Sequence, residues 1–352
     1  MGINTFELKK WKVYLRIARN RGLRYSLKKA VSKGFPSLFL RFPGLIMYPT
    51  DIMVEPTNIC NLKCQLCPHK LMKRKKGSMT FEQFKKFIDS AGVSFKHITF
   101  GMMGDPLLNK DIFKMIKYVS ERGVKTNMPT NGTFLDRFDM DEIFNSGLTH
   151  MNIALDGVTK ESYLKYRVGG DYERLLKGVK RLCKAKRKTG AKTPKINLQF
   201  LVMKHNEHEM VEMERLARDV IKPDSLNFKT MALWTGMTHK DRAKTAKKWL
   251  PKKWGLTRFD NSHKTVGSPK ICPFTFDNTV ILWNGDVAVC CLDYDGSYVL
   301  GNVFEKPFKD IFRSKKYMRI RKKILKKELP ICRDCDLTDE EHGGKRIEFG
   351  GS

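Results

Sequence analysis

Between residues 49 and 230 the chain alternates two kinds of segment, and no other feature narrows its fold as much. Apolar, strand-like runs recur as "DIMVEP", "HITFGMM", "VKTNMPTN", "HMNIALDG", "KINLQFLVMK" and "SLNFKTMAL". Amphipathic segments of helix length lie between them. "TFEQFKKFIDSAG" opens on Thr80 with Gln83 three residues on, which is a capping box. "DIFKMIKYVSERG" closes at Gly123, a residue suited to a helix C-terminus. Six strands, each separated by a helix, predict an α/β fold with a parallel sheet and helices outside, doubly wound or closed towards a barrel. In such folds ligands bind beyond the C-terminal ends of the strands.

Just past the first strand, "NICNLKCQLCPHK" sets Cys60, Cys64 and Cys67 within eight residues. A structural zinc site takes four ligands, and so does a fully ligated iron–sulfur cubane. Three thiolates on one loop can hold three irons of a [4Fe–4S] cluster and leave the fourth open, much as a catalytic zinc site keeps one position free. On spacing alone, a zinc site completed by His69 or a distant cysteine is the alternative.

The triad and its surroundings, "VEPTNICNLKCQLCP", resemble the signature of the radical S-adenosylmethionine (SAM) superfamily. "FGMMGDPLLN" resembles that family's segment after the second strand, with Met103, Gly104, Asp105 and Pro106 where backbone groups receive the SAM amino group; Asp replaces the usual Glu. "TNGT", carrying Asn131, resembles the segment after the third strand. "MNIALDG" and "YRVGGDYERLL" resemble the fourth-strand region. There Ala154 stands where a serine often meets the SAM ribose, Asn152 is the candidate replacement, and Arg167 matches an arginine near the SAM carboxylate. "FLVMKHNEHEM" resembles the fifth-strand segment with Asn206 in place; its His205 and His208 read as solvated residues at a helix start. The resemblance covers roughly residues 50–230. It implies a partial (β/α)6 TIM-like barrel. Its cofactors would be a SAM-binding [4Fe–4S] cluster and SAM, cleaved to a hydrogen-abstracting 5′-deoxyadenosyl radical with an electron from a donor such as flavodoxin or ferredoxin.

A second cysteine group follows. Cys272, Gly285 with Cys290 five residues on, and the Cys332-x2-Cys335 pair resemble a SPASM or twitch domain, which binds auxiliary [4Fe–4S] clusters. "WNGD" between apolar runs is a hairpin signal. That resemblance implies one auxiliary [4Fe–4S] cluster on Cys272, Cys290, Cys332 and Cys335, with Cys291 as an alternative to Cys290. A zinc site on the same four residues is the other reading. Cys183, alone in a basic helix, reads as a structural thiol.

These features divide the chain into a basic amphipathic extension (1–48), a radical SAM core (49–230), a connector (231–270), a small hairpin-and-helix cluster domain (271–340) and a tail (341–352). The extension carries eleven Lys or Arg against Glu7, and its Leu8, Trp11, Leu15 and Ala18 fall at helical spacing. It reads as a helix capping the domain, as a membrane-surface helix, or as a nucleic-acid contact. Over the whole chain 68 Lys and Arg face 37 Asp and Glu, a net +31, which predicts attraction to an anionic substrate or surface. A lysine-rich proteome would give a similar figure. The N-terminus has no uninterrupted apolar core, and no window reaches the length of a membrane span, so a cytoplasmic protein with at most peripheral membrane contact is expected. Clustered cysteines in such a chain read as metal-binding rather than disulfide-bonded.

The resulting expectation is a radical SAM oxidoreductase. Its reaction would be a net oxidation or C–H modification of an anionic small molecule, a sugar or a lipid-linked substrate. A peptide- or protein-modifying maturase is the alternative. From another class, a non-catalytic iron–sulfur or zinc protein that binds nucleic acid remains open.

Overall fold

The computed structural model describes residues 46–233, 239–252, 257–260, 265–266, 272–333, 335–337 and 344–349. Residues 1–45 of the N-terminal extension, where the amphipathic helix and membrane contact are expected, lie outside the described residues.

Nine strands form one sheet in the order β8-β7-β1-β2-β3-β4-β5-β6-β9. The first six are β1 (Asp51–Val54), β2 (His97–Phe100), β3 (Lys125–Thr130), β4 (His150–Ala154), β5 (Lys195–Val202) and β6 (Ser225–Thr230), paired in parallel in chain order. The sheet does not close on itself, so the expected partial barrel is the observed one. Connecting helices include α1 (Phe81–Ser90), α2 (Ile112–Ser120), α3 (Met140–Asn145), α4 (Lys160–Tyr166), α5 (Tyr172–Thr189) and α6 (Met210–Arg215). The capping box at Thr80 and Gln83 is present, and Gly123 takes a positive φ of 75° just past α2.

Alternation along the strands separates two environments. Ile52, Val54, Ile98, Phe100, Met128, Met151, Ile153 and Phe200 enter the main core with Phe84, Phe87 and Phe113 of the helices. The other face carries Thr99, Asn127, Asn152, Asn197 and Ser225, whose side chains form a hydrogen-bonded ladder from strand to strand. Each amide finds a partner in its neighbour, so a polar face is satisfied without carboxylates.

The C-terminal third does more than append a module. The expected hairpin is β7 (Val280–Ile281) and β8 (Val287–Ala288), turning at Gly285 with φ of 85°. β7 then pairs in parallel with β1, extending the barrel sheet at its first edge. At the other edge β9 (Gly344–Glu348) pairs antiparallel with β6. The segment expected as a tail is therefore a strand, held by backbone pairing that needs no strong side-chain pattern.

The connector is also more than a link. Helix α7 (His239–Trp249) sends Ala246 and Trp249 into a cluster with Met231, Leu233 and Phe259. Cys64 is buried in that cluster, and Cys60 and Cys67 pack against it.

Candidate functional site

The triad loop leaves β1 through Glu55, which is fully buried. Its carboxylate takes a guanidinium fork from Arg74, on the strap that follows the triad (Arg74 Nη1 to Glu55 Oε2, 2.7 Å), and accepts from Met103 N at 3.4 Å and Trp283 N at 3.3 Å. Arg74 Nε also donates to the Tyr294 carbonyl at 2.7 Å, and Arg74 N to Asp295 at 2.9 Å. One buried pair thus joins the end of β1, the segment after β2 and the C-terminal hairpin region. Sequence reasoning missed it, because Glu55 and Arg74 lie 19 residues apart without a shared motif.

The loop is then fixed along its length. Ile59 O accepts from Asp105 N at 2.9 Å, Lys63 N donates to Val168 O at 2.9 Å, and Gln65 N donates to Tyr166 O at 3.1 Å. His69 Nε2 bonds the Asn58 carbonyl at 2.9 Å. Gly104 is required here by crowding, since a Cβ would stand 2.2 Å from the Thr57 carbonyl oxygen and 2.7 Å from that of Ile59.

Asp105 is buried behind the loop and accepts from Leu107 N at 3.0 Å, Thr130 Oγ1 at 3.0 Å and Asn131 N at 2.7 Å. Burial pushes its carboxyl up, against the pull of those donors. Asn131 reaches Asn61 Oδ1 at 2.9 Å, tying the end of β3 to the triad loop. Met103 is buried beside Glu55. Arg167, at the C-terminal end of α4, donates from Nε to Asp156 at 2.6 Å and from Nη1 to Cys64 Sγ at 3.6 Å. Burial opposes its charge, but Asp156 and Cys64 together hold the guanidinium well above its ordinary range. Asp156 is steadied in turn by Leu201 N at 2.7 Å, and its own carbonyl by Asn206 Nδ2 at 3.0 Å. Asn152 lies lower in the barrel, its amide engaged by Asn127 on one side and Asn197 on the other. His205 is not solvated as expected: it packs edge-on against Trp249 and bonds the Ser162 carbonyl, while His208 is exposed.

Among the described residues, no three His, Cys, Asp or Glu side chains gather on a single metal ion. Burial holds the Cys60 thiol up at about 12 and raises Cys67, so both favour the protonated form until a metal displaces the proton. The Tyr163 hydroxyl is buried without a hydrogen-bond partner among the described residues, within reach of the charges of Arg167, Asp156, Cys64 and Asp105. A polar ligand in this cradle would satisfy it. The residues present fit both an iron–sulfur cluster and a zwitterionic ligand beside it.

The second cysteine group assembles from three separate segments. Cys272 precedes the short turn Pro273–Thr275, Cys290 and Cys291 follow β8, and Cys332 and Cys335 come from beyond α8 (Phe308–Phe312) and α9 (Lys315–Leu325). Cys272, Cys290 and Cys332 share one apolar cluster with Val289, Ile324 and Leu329. Burial raises Cys272 and Cys332 to about 11, and it raises Cys291 to about 12, which Cys335 and Cys272 push further. Cys335 is carried by the connector: Thr265 Oγ1 donates to its carbonyl at 3.0 Å, and Arg258 Nη1 to the Asp336 carbonyl at 3.1 Å. Cys183 is buried in the main core.

The radical SAM superfamily model matches residues 54–217, and the SPASM iron–sulfur cluster-binding domain matches residues 272–336. The chain belongs to the radical SAM superfamily, with a C-terminal SPASM domain. Among curated relatives, the tungsten-containing aldehyde ferredoxin oxidoreductase cofactor-modifying protein of Pyrococcus furiosus is 26% identical over 323 residues, covering 82% of this chain and 87% of the relative. AdoMet-dependent heme synthase of Methanosarcina barkeri is 28% identical over 174 residues, about half of each chain (49% and 48%). PqqA peptide cyclase of Bradyrhizobium diazoefficiens is 30% identical over 124 residues, covering 35% of this chain and 32% of the relative. Of solved structures, Streptococcus suis SuiB bound to S-adenosylmethionine aligns with TM-score 0.58 at 16% identity, over 88% of this chain and 82% of that one. BtrN in complex with AdoMet and 2-DOIA aligns with TM-score 0.53 at 17% identity, over 84% and 98%. These two show the same fold. A radical SAM protein with a SPASM domain uses a [4Fe–4S] cluster with SAM and auxiliary iron–sulfur ligation, and those are the cofactors of this chain. No helix among the described residues is long and apolar enough to cross a membrane.

Proposed function

We propose that this radical SAM enzyme abstracts a hydrogen atom from a polar, anionic substrate and completes a net oxidation or C–H modification. Candidates are a small molecule, a sugar or a lipid-linked compound. Cys60, Cys64 and Cys67 hold the SAM-binding cluster, which supplies one electron to cleave SAM. Met103, Gly104, Asp105, Asn131 and Arg167 form the cradle beside it. Asn152 lines the barrel below through its amide ladder. Cys272, Cys290, Cys332 and Cys335 hold the auxiliary cluster.

The observation that carries this reading is the convergence on one loop. The backbone of the triad loop is bonded to the segments after β2 and α4, and Arg167 reaches both Asp156 and Cys64. The chain's own residues bind and orient; they also exclude water. Asp105 fixes the end of β3 against the loop, and Asp156 aims Arg167. Trp249, Tyr166, Leu66 and Met203 cover the triad with apolar surface, as a reactive radical requires. Strand alternation turns Gln199, Asn227 and Lys229 towards the barrel interior near the strands' C-terminal ends, polar and basic groups suited to an anionic substrate. A small acidic electron donor such as flavodoxin or ferredoxin is the expected partner of so basic a chain.

The PqqA peptide cyclase relationship favours a second reading, a peptide- or protein-modifying maturase. The test is anaerobic reconstitution followed by dithionite and SAM, with formation of 5′-deoxyadenosine as the readout. Anionic sugars, lipid-linked sugars and peptides are then offered as substrates and scored by deuterium transfer into 5′-deoxyadenosine. SAM left uncleaved by the iron-loaded protein would sink the proposal.

A further inference from the structure

The basic tract from Lys306 to Lys327 contains one residue that does not behave as a surface charge. Arg321 of α9 is the largest fully buried side chain described. Its Nε donates to the Thr275 carbonyl at 2.8 Å and its Nη1 to the Phe312 carbonyl at 2.7 Å. The guanidinium lies 3.9 Å from the ring centre of Tyr317 and 4.1 Å from that of Phe312. Nη2 has no hydrogen-bond partner among the described residues. Burial lowers Arg321 to about 10; Tyr317 supports its charge and the nearby Arg313 opposes it, and among the described residues neither a carboxylate nor a metal-free thiol acts on it. A buried cation without an ion-pair partner is destabilising unless something anionic compensates it.

The surroundings of Arg321 point towards the second cysteine group from three directions. Thr275, whose carbonyl it holds, closes the turn that begins at Cys272, with Thr275 N donating to Cys272 O at 3.0 Å. Tyr317, on which it stacks, is close enough to Cys290 for that thiol's charge to act on its hydroxyl. Ile324, one turn further along the same face of α9, packs with Cys272, Cys290 and Cys332. A four-thiolate cluster carries net negative charge and becomes more negative on reduction.

We infer that Arg321 is the buried counter-charge of the auxiliary cluster, a positioning residue that favours its reduced state and so raises its reduction potential. The inference rests on the proposed auxiliary site. It concerns how readily that site takes an electron, which the cysteine spacing does not address.

The test is an EPR-monitored redox titration of the full chain carrying both clusters, the SAM-binding cluster being recognised by its change of signal when SAM is added. Arg321→Met removes the charge and keeps an unbranched apolar chain; Arg321→Lys keeps the charge. At the wild-type midpoint potential, Arg321→Met should lower the reduced-to-oxidised ratio of the auxiliary cluster about tenfold, the scale of one unit charge acting across a layer of side chains. Arg321→Lys should stay within about twofold. An unchanged potential in Arg321→Met, or an equal shift in Arg321→Lys, would overturn the inference. If Arg321→Met fails to fold, Arg321→Gln is compared with wild type by thermal unfolding of cluster-loaded and cluster-free protein. Cluster loading should then stabilise wild type more than the variant, since only wild type gains the charge pairing; equal gains refute it. A wild-type chain with about four irons and one EPR signal would instead remove the auxiliary site itself, and iron analysis tells the two failures apart.

Discussion

The two cysteine groups are built in opposite ways. Cys60, Cys64 and Cys67 occupy one loop at the mouth of a barrel, and charged groups stand over them: Arg167 beside Cys64, with Asp156 and Asp105 behind. Cys272, Cys290 and Cys332 come from distant segments and are gathered by apolar packing with Val289, Ile324 and Leu329, with Arg321 buried beneath, while Cys335 is held by the connector through Thr265. On the proposed reading the first group, with three thiolates, leaves one iron open for a charged ligand. On that reading the second supplies a thiolate to every iron, as suits a site that exchanges electrons without binding substrate atoms. A short local motif is enough for the open site, and only a folded domain can assemble the closed one.

The largest effect expected from breaking this contrast lies in the triad. Cys60→Ala, Cys64→Ala and Cys67→Ala should each abolish 5′-deoxyadenosine formation, and iron analysis should fall to roughly half. Residual SAM cleavage at wild-type rate would remove the distinction. Cys335→Ala should keep SAM cleavage while losing turnover of the true substrate and about half the iron. Cys290→Ala and Cys291→Ala separate two neighbours, because Cys335 and Cys272 both act on Cys291, whereas Cys290 feels Cys291 and Cys272. The variant that loses auxiliary iron identifies the ligand. Arg74→Gln tests the tie between the regions by leaving Glu55 buried and unpaired; a loss of about 3–5 kcal/mol in unfolding free energy is expected. A change under about 1 kcal/mol would mean that the two regions are held together elsewhere.

The smallest effect belongs to the barrel away from both sites. Burial would raise the Asp224 carboxyl, but Lys186 Nζ at 2.6 Å and Ile196 N at 2.7 Å hold it below its ordinary value of 3.8. A depressed folded-state value contributes stability above the unfolded value and loses it as pH falls through the folded one. Asp224→Asn should therefore flatten only the acid limb, below about pH 4, of a denaturation profile. Loss of stability at pH 7 matching that at pH 3 would show a packing role instead.

Much of the site was legible because its signals are local. The βα alternation follows from side-chain periodicity, the capping box and Gly123 from single-turn geometry, and the triad from a fixed spacing on one loop. Asp105 and Arg167 could be placed by resemblance, though not their hydrogen bonds to Thr130 and Asp156. Trp249 and the connector helix escaped notice because polar composition masks one apolar stripe against Cys64. β9 escaped because antiparallel pairing with β6 is made by backbone groups, which any sequence carries. Arg321 had a signal that charge counting hid, since Tyr317, Arg321 and Ile324 fall on one helical face.

The sequence by itself determined the repeating architecture, the open three-thiolate loop and the family, because each is written in residues close together along the chain. Tertiary structure alone decided that β7 and β9 border the two edges of one sheet, that Glu55 and Arg74 join the barrel to the hairpin, and that one arginine among eleven basic residues lies inside. Those outcomes depend on which distant surfaces meet, and burial converts an ordinary surface charge into one that needs a partner.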